Sequence, residues 1–374
     1  MTIITILIFI LVLTVLVLIH ELGHFVVAKF FKIKVEEFGF GLPPRIVGKK
    51  FGETLYSLNW LPIGGFVKLY GEDEAGGGRI SGLKSQITNL KDKDRTFYGR
   101  AWWQRALVIV AGVVMNFLLT FVVISFLFGV VGVSVPGNKV YVDNVLKGSP
   151  ADTAGLKKGD IIEDLNGVKI ISTIQLIETT KTNLGHKMNL RVLSDGRQEN
   201  LEITPRVNYP KDQGPMGIVI SQNIELKKYP WYQAPIEGFK MTIDQTIMLV
   251  LAGGALIGQI FSTGQIPSYS VAGPVGVAQL TGQVAKTSGA VGVLSLLGLL
   301  SLNLGIINIL PIPALDGGRL FFILIEGITR RKVHPKLENY AHTIGMILLL
   351  ALIALITLHD LARVISGQPI LPKQ

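Results

Sequence analysis

The sequence predicts a polytopic α-helical membrane protein with four transmembrane helices, a membrane-associated β-hairpin or sheet, and an inserted α+β domain. Apolar residues make up 49% of the 374 residues and charged residues only 17%, which is too apolar a composition for a soluble globular domain. Four apolar runs are long enough to cross about 30 Å of hydrocarbon. Between the second and third runs the composition becomes that of a soluble domain with alternating strands.

The first membrane half is predicted to cover residues 1–132. Transmembrane helices are expected at about residues 3–28 and 106–132, and no basic residue precedes the first one, as it would in a secretory signal. The loop between them is rich in Lys and Arg, which marks the cytoplasmic side of the membrane. Within it, about residues 33–75 alternate apolar and polar residues between glycines. This pattern predicts a hairpin or sheet that dips into the membrane from the cytoplasmic face.

Residues 133–223 predict a folded domain outside the bilayer. The stretch GSPADTAGLKKGDIIEDLNGVKI contains a turn, a short helix and a strand pair closed by Asn-Gly, and it resembles a PDZ domain of the bacterial protease type. A PDZ domain binds a peptide as an added strand. GPMGIVI is the candidate carboxylate loop, so Gly217 and Ile218 are candidate peptide-binding residues. The alternative is a small α+β domain without a peptide groove.

The segment after this domain, residues 224–288, is predicted to be interfacial or amphipathic. Its most apolar part, residues 246–261, has about 16 residues, which is short for a span. The second membrane half, residues 289–374, is expected to contain helices at about 289–310 and 338–359. A basic, and therefore cytoplasmic, loop joins these two helices.

The motif HELGH lies at the end of the first predicted span. His20 and His24 are four residues apart, so on a helix they face the same way and can share one metal ion, while Glu21 projects towards a bound water. The pentapeptide alone is a weak signal, since a histidine near a helix end is more often a packed side chain. Its depth strengthens the signal, because ionisable residues inside a span are rarely retained without a partner.

A third ligand is expected from NILPIPALDGGRL, where Asp316 follows the third span. Prolines end the helix and glycines let the backbone turn closely, so the carboxylate can be directed back into the bundle. The alternative is an aspartate that caps a cytoplasmic turn. Asp316 and the histidines reach the same depth only if residues 246–261 do not cross the membrane.

These motifs together resemble the site-2 protease family. The chain combines HExxH in a first span, a GFG hairpin at Gly39–Gly41, a PDZ-like insert and the pattern NxxPxPxLDGG from Asn308 to Gly318. The layout is similar to that of the bacterial regulator-of-sigma-E proteases, with two departures. The second span carries GVVMN at Gly112–Asn116 where many relatives carry GPxxN, and only one PDZ-like domain is visible instead of two.

The resemblance implies an intramembrane zinc metalloprotease with one zinc ion held by His20, His24 and Asp316 and with Glu21 as the general base. It implies single-span membrane substrates, of the anti-sigma factor or remnant signal peptide type, that an upstream site-1 type protease has already cut. It also implies the bacterial plasma membrane, with the PDZ domain extracytoplasmic and the active site in the membrane near the cytoplasmic face.

Substrate contacts are expected mainly from the hairpin. An edge strand at Gly65, Phe66 and Val67 can accept the unwound substrate as an added strand, although the hairpin can equally be a structural plug. Asn308 is a candidate to hydrogen-bond the substrate and Asn116 a weaker one; either amide can instead serve helix packing.

Two rival functions remain open at this point: a membrane PDZ scaffold with an inactive metal site, and a transporter that couples zinc or protons through the same residues. Many transporters are built from inverted repeats, and none is visible in this sequence, which argues against the second alternative. The absence of cysteine excludes thiol-ligated zinc and disulfides. Despite the net charge of +10, the basic residues are spread through loops, which argues against a nucleic-acid partner.

Overall fold

The computed structural model describes residues 3–72, 94–210, 213–264, 273–331, 333 and 335–365. It divides into two compact units, one of Met1–Gly129 with Pro230–Gln374 and one of Val130–Tyr229. The second unit encloses the domain predicted at residues 133–223. Residues 73–75 of the predicted hairpin region and residues 366–374 lie outside the described ranges.

Five helices within the described ranges are long and apolar enough to cross a membrane, one more than the four predicted. The first, α1 (Ile3–Phe30), is apolar on every side. Its buried residues nevertheless form one stripe with helical spacing: Thr5, Val12, Leu16, His20, Gly23, His24 and Ala28. The other faces of α1 are not covered by the rest of the chain. The two histidines therefore lie on the one face of α1 that packs against protein.

Helix α2 (Trp102–Phe126) continues into a π-helical turn, Leu127–Val131, and packs against α1 through small residues. A Cβ atom at Gly23 of α1 would overlap the carbonyl oxygen of Ala111. Glycine at this position therefore lets the two helix backbones approach closely.

Helix α5 (Ala234–Thr263) has 30 residues, so the prediction of a 16-residue apolar segment was too short. The helix extends towards the N-terminus through APIEGFKMTIDQ, whose charges and glycine conceal it in a hydropathy profile. Its first turns pack on α2, where Gly238 lies against Ser125 and the rings of Phe239 and Phe121 are 6.3 Å apart. Further along α5, a Cβ atom added at Gly253, Gly254 or Gly258 would meet no atom of the described residues within 4 Å, apart from its own helix.

Helix α6 (Pro274–Ile309) begins well before the predicted third span, about 289–310, within the residues predicted to be interfacial or amphipathic. It begins at Pro274 and passes through Gly289, whose non-helical dihedrals (φ 58°, ψ −149°) kink it. The predicted third span corresponds to the part after this kink. The polar residues just before Gly289 lower the hydropathy there, so the sequence does not reveal the part of α6 before the kink. This part packs so closely on α1 that a Cβ atom at Gly282 would overlap Thr5.

Two helices complete this unit. Helix α7 (Asp316–Thr329) is short and amphipathic, and α8 (Pro335–Ile365) covers and extends the predicted fourth span. The fully buried Asp360 near the end of α8 caps the start of α6, where its Oδ2 accepts a hydrogen bond from the Gly276 N–H at 2.8 Å. Its Oδ1 accepts another from Arg363 at 3.1 Å. The beginning of α6 is thereby fixed to the end of α8.

Strands β1 (Val35–Phe51) and β2 (Thr54–Leu69) pair antiparallel in more than one register. Phe38 lies opposite both Tyr56 and Val67, and Val47 lies opposite Leu58. The hairpin therefore doubles back into four strand segments. Among the described residues, the last segment, from Gly65 to Leu69, pairs only with the first part of β1 and forms an edge.

The hairpin is tied to α1 by an ion-pair cluster at its turn. Glu53 accepts hydrogen bonds from Lys29 at 3.0 Å and from Arg95 at 2.6 Å. Partial burial works to raise the pKa of Glu53, but the two cations outweigh it and lower this pKa below its ordinary value. The carboxylate is thus held in its charged form, and the cluster fixes the turn beside the end of α1.

The second unit contains a sheet in the order β7-β6-β4-β3-β8, with β5 paired to β4. Its strands are β3 (Val133–Val145), β4 (Ile161–Leu165), β5 (Val168–Lys169), β6 (Met188–Ser194), β7 (Arg197–Ile203) and β8 (Ile218–Lys227). Helices α3 (Pro150–Ala154) and α4 (Thr173–Thr182) are capped by Ser149 and Ser172, whose hydroxyls accept backbone N–H groups. A separate apolar core, including Val140, Leu165, Leu176 and Met188, holds this unit together.

Candidate metal centre and active site

Three side chains that the sequence predicts to share a metal ion converge in the first unit. Asp316 Oδ2 lies 2.9 Å from His20 Nε2 and 3.3 Å from His24 Nε2, and the two Nε2 atoms are 3.2 Å apart. Both imidazoles are buried and the carboxylate is partly buried. Residues separated by almost 300 positions in sequence therefore present three ligand atoms to one point.

This donor set fits a zinc ion. In a tetrahedral site with ligand distances of about 2.0–2.1 Å, two ligand atoms lie about 3.3 Å apart. The three measured separations, 2.9, 3.2 and 3.3 Å, are close to that value. Two imidazoles and one carboxylate also leave a fourth position for water or substrate, as catalytic zinc sites require.

The imidazoles lie directly on the backbone of α2. A Cβ atom at Gly112 would overlap His24 Nε2 and would lie 2.8 Å from His20 Cε1. No side chain fits between α2 and the histidines, so glycine at this position is a requirement of the site. On the same helix, the Val108 carbonyl accepts a hydrogen bond from His24 Nδ1 at 2.8 Å.

Asp316 is the first residue of α7, and α8 supports the loop that precedes it. Ala314 adopts a left-handed conformation (φ 80°), and its N–H donates to Nδ1 of the buried His342 at 3.0 Å. Gly345, one turn further along α8, packs so closely on Pro313 that a Cβ atom would overlap it. The loop thus gains from α8 the packing that stabilises a strained backbone.

A cavity of about 280 Å³ opens beside the three groups. Glu21, His24 and Asp316 line it, together with the edge segment of β2 at Gly65, Phe66 and Val67. Its wall also includes Arg319, which forms an ion pair with Glu72. A polypeptide in this cavity would contact both the β2 edge and the side chain of Glu21.

The predicted substrate residues fall into three places. Gly65, Phe66 and Val67 line the cavity, and Asn308 Nδ2 lies 3.4 Å from His20 Nε2. Gly217 and Ile218 belong to the second unit, where they line a different cavity. Asn116 lies in the third place: it is fully buried, and its amide lies 3.1 Å from His20 Nδ1, on the opposite side of the imidazole from Asp316.

Sequence reasoning missed several residues of the site. Arg319 follows Asp316 by one helical turn in DGGRL, a spacing that could have indicated a shared face. The sequence gives no comparable signal for Glu72, Val108 or His342, because their roles depend on tertiary contacts. The requirement for Gly112 is equally invisible without the position of the imidazoles.

The family model described as "Peptidase family M50" matches residues 8–352 of the chain, which include His20, His24 and Asp316. The chain is 32% identical over 352 residues to a putative zinc metalloprotease of Clostridium acetobutylicum, covering 94% of this chain and 96% of that protein. It is 30% identical over 425 aligned residues to the regulator of sigma-W protease RasP of Bacillus subtilis, covering 96% and 98%. A putative zinc metalloprotease of Fusobacterium nucleatum is 32% identical over 364 residues, covering 97% and 100%.

Proposed function

The chain belongs to peptidase family M50, the site-2 protease family, and on that premise we propose how and where it acts. It is an intramembrane zinc metalloprotease. In the proposal, His20, His24 and Asp316 hold one zinc ion and Glu21 acts as the general base. The observation that carries the proposal is the convergence of their three ligand atoms at one end of an apolar helix, beside a cavity that Glu21 lines.

A zinc ion bound there supplies Lewis-acid activation of a water molecule at neutral pH. The residues of the chain do the rest. Glu21 takes the proton from the attacking water and transfers it to the leaving nitrogen. The close approach of α1, α2 and α7 excludes lipid, and the open side of the cavity admits the peptide bond.

The edge of β2 is the proposed binding place for the substrate backbone. A transmembrane helix satisfies its peptide groups internally, so hydrolysis requires local unwinding, and the freed N–H and C=O groups need new partners. The segment from Gly65 to Leu69 offers such partners beside Glu21, since a Cβ atom at Gly65 would lie 3.5 Å from Glu21 Cγ. Asn308, near His20, is placed to hydrogen-bond the substrate carbonyl.

The active site is proposed to lie near the cytoplasmic face, with α5 not crossing the membrane. Helix α5 begins beside Gly129, at the far end of α2 from the basic loop, and α6 begins on the same side, beside Asp360 at the end of α8. Only eight residues lie between Gly264 and Gly273. If α5 crossed the membrane, the chain could therefore return only as a lone extended strand of at most about 32 Å in lipid. Exposed Trp231 and Tyr232 suit an interfacial start for α5.

The second unit is proposed to be an extracytoplasmic PDZ domain. A cavity of about 290 Å³ lies between α4 and β8, and β8 is an edge strand of its sheet. Leu176, Ile177 and Ile218 make its lining apolar. A peptide added along β8 would place apolar side chains there.

The substrates are proposed to be single-span membrane proteins that another protease has first trimmed outside the membrane. One relative is named a regulator of sigma-W protease, which supports substrates of the anti-sigma factor type; remnant signal peptides are the second candidate. The domain between α2 and α5 would then act as a size filter against untrimmed ectodomains. The location that fits this role is a bacterial plasma membrane.

Replacing Glu21 with Gln should abolish cleavage while the zinc remains bound. General acid–base catalysis contributes about 10²–10⁴-fold to the reaction rate. The rate at which the purified protein cleaves a model single-span substrate should therefore fall at least about 10²-fold. Zinc content, measured by mass spectrometry, should stay at one per chain, whereas His24→Ala should lose it. Glu237→Gln, the same change on exposed α5, is the matched control. Full activity in Glu21→Gln would favour an inactive-site scaffold and remove the assignment.

Proline at the β2 edge should separate substrate binding from folding. Successive N–H groups of a strand point to opposite sides, so Phe66→Pro and Val67→Pro each remove one donor, one from the β1 ladder and one from the free edge. The proline variant that loses the N–H group of the free edge should keep zinc. Its cleavage rate should fall about tenfold or more, as expected for one lost backbone hydrogen bond to the substrate. Phe66→Leu and Val67→Ala keep both donors and serve as controls. Normal cleavage by both proline variants would support the structural-plug interpretation.

Cysteine labelling should place the end of α5 on the outer side. The chain contains no cysteine, so each introduced one is a unique reporter. Ser262→Cys should react with an impermeant maleimide in intact cells, as Trp231→Cys should, while Arg330→Cys should react only after permeabilisation. Protection of Ser262→Cys together with Arg330→Cys would mean that α5 crosses.

Deleting residues 135–222 should widen substrate choice. With a short Gly-Ser linker in their place, the variant should cleave untrimmed substrates that the intact protein rejects, and trimmed ones equally well. Ile177→Asp changes the α4–β8 cavity but keeps the bulk of the domain, so it should still reject untrimmed substrates. Continued rejection by the deletion variant would contradict the size filter.

A further inference from the structure

We propose that Asn116 is a positioning residue for the metal centre, whose side-chain carbonyl accepts a hydrogen bond from His20 Nδ1–H. This role rests on the proposed function, in which His20 is a zinc ligand. It differs from a substrate contact, because Asn116 is fully buried behind the imidazole.

The observation behind the proposal is an unusual contact between two buried polar groups. The Asn116 amide lies 3.1 Å from His20 Nδ1, and Asn116 Oδ1 has no hydrogen-bond partner among the described residues. A buried acceptor without a partner destabilises the fold. The oxygen and nitrogen of an amide are distinguished only by their hydrogen bonds, so the orientation of Asn116 has to be decided from chemistry.

Only one orientation is compatible with a metal on His20. If the amide nitrogen donates to Nδ1, the proton of the neutral imidazole must lie on Nε2, the atom that faces Asp316. A protonated nitrogen has no lone pair for a metal ion. If the amide oxygen accepts instead, the proton lies on Nδ1 and Nε2 is free to coordinate. The turn exchanges one unpaired group for another, because the amide N–H₂ then lacks a partner among the described residues. Metal coordination, and not the number of hydrogen bonds, therefore decides the orientation.

His24 shows the same arrangement with the other available acceptor. Its Nδ1 donates to the Val108 carbonyl, so its Nε2 faces His20 and Asp316 with a lone pair. Val108, Gly112 and Asn116 are spaced by four residues and therefore follow one face of α2. In the proposal this face supplies one acceptor to each imidazole: the Val108 carbonyl to His24 and the Asn116 amide oxygen to His20. Gly112, between Val108 and Asn116, leaves space for both rings. Such outer partners fix the tautomer and the ring orientation of metal-binding histidines.

The position of Asn116 is itself fixed by packing. Its backbone carbonyl accepts hydrogen bonds from Thr120 at 3.0 Å and from Ser301 of α6 at 2.9 Å. A Cβ atom at Gly305 of α6 would lie 3.4 Å from the Asn116 Cβ. The residue thus sits where α1, α2 and α6 meet, and its amide has little freedom to turn away from His20.

The test compares substitutions that separate acceptor from donor. Asn116→Asp keeps an acceptor and removes the donors, whereas Asn116→Leu removes both at similar size. Zinc affinity of the purified full chain in detergent is measured by competition with a chelator. Asn116→Leu should bind zinc about 10–100-fold more weakly, and Asn116→Asp should bind it as tightly as the unaltered chain. Thr242→Val, which removes a buried hydroxyl from α5, is the control and should not change the affinity.

Several outcomes would overturn the proposal. An unchanged affinity in Asn116→Leu would show that the contact is packing only, and equal losses in the Leu and Asp variants would show that the amide acts as a donor. Because a variant can fail to fold, the unaltered zinc-loaded chain with ¹⁵N-labelled histidine gives a second measurement. Its His20 Nδ1 should carry the proton; a proton on Nε2 would contradict the role. An unaltered chain that binds no zinc, or that keeps it after His24→Ala, overturns the proposed function and this role with it.

Discussion

The structure depends on bringing one carboxylate to two imidazoles inside an apolar helix bundle. Polar groups in such a setting must find partners or destabilise the fold, and here they find each other. His20 and His24 occupy the single buried face of α1, and Asp316 reaches them from the start of α7. The remaining membrane unit can be understood as the set of contacts that keeps these three side chains together.

Those contacts come from two helices. The backbone of α2 packs directly on the imidazoles at Gly112, and the Val108 carbonyl accepts a hydrogen bond from His24. Helix α8 holds the loop before Asp316 through His342 and Gly345. Most of these are close approaches between helices at small residues, which is how helices associate where burial from water offers no driving force.

The sequence predicted the parts of this arrangement that repeat with a regular period or form a motif. The helical spacing of His20 and His24 and the proline–glycine setting of Asp316 identified the candidate ligands, and composition separated the membrane unit from the inserted domain. Helix boundaries were less accessible. The beginning of α5 carries charges and α6 contains a kink at Gly289, so hydropathy underestimated both helices. The contact of Asn116 with His20 joins residues 96 positions apart, and no local pattern in the sequence encodes it.

The ion pair between Glu72 and Arg319 connects the β2 edge with helix α7. Glu72 also accepts the N–H of Leu69 at the end of the β2 edge, while Arg319 lies one turn after Asp316 on α7. One carboxylate therefore links the strand that borders the cavity with the helix that carries the third converging side chain. Displacement of the strand end would strain this ion pair, so the position of the β2 edge and the position of Asp316 are energetically coupled.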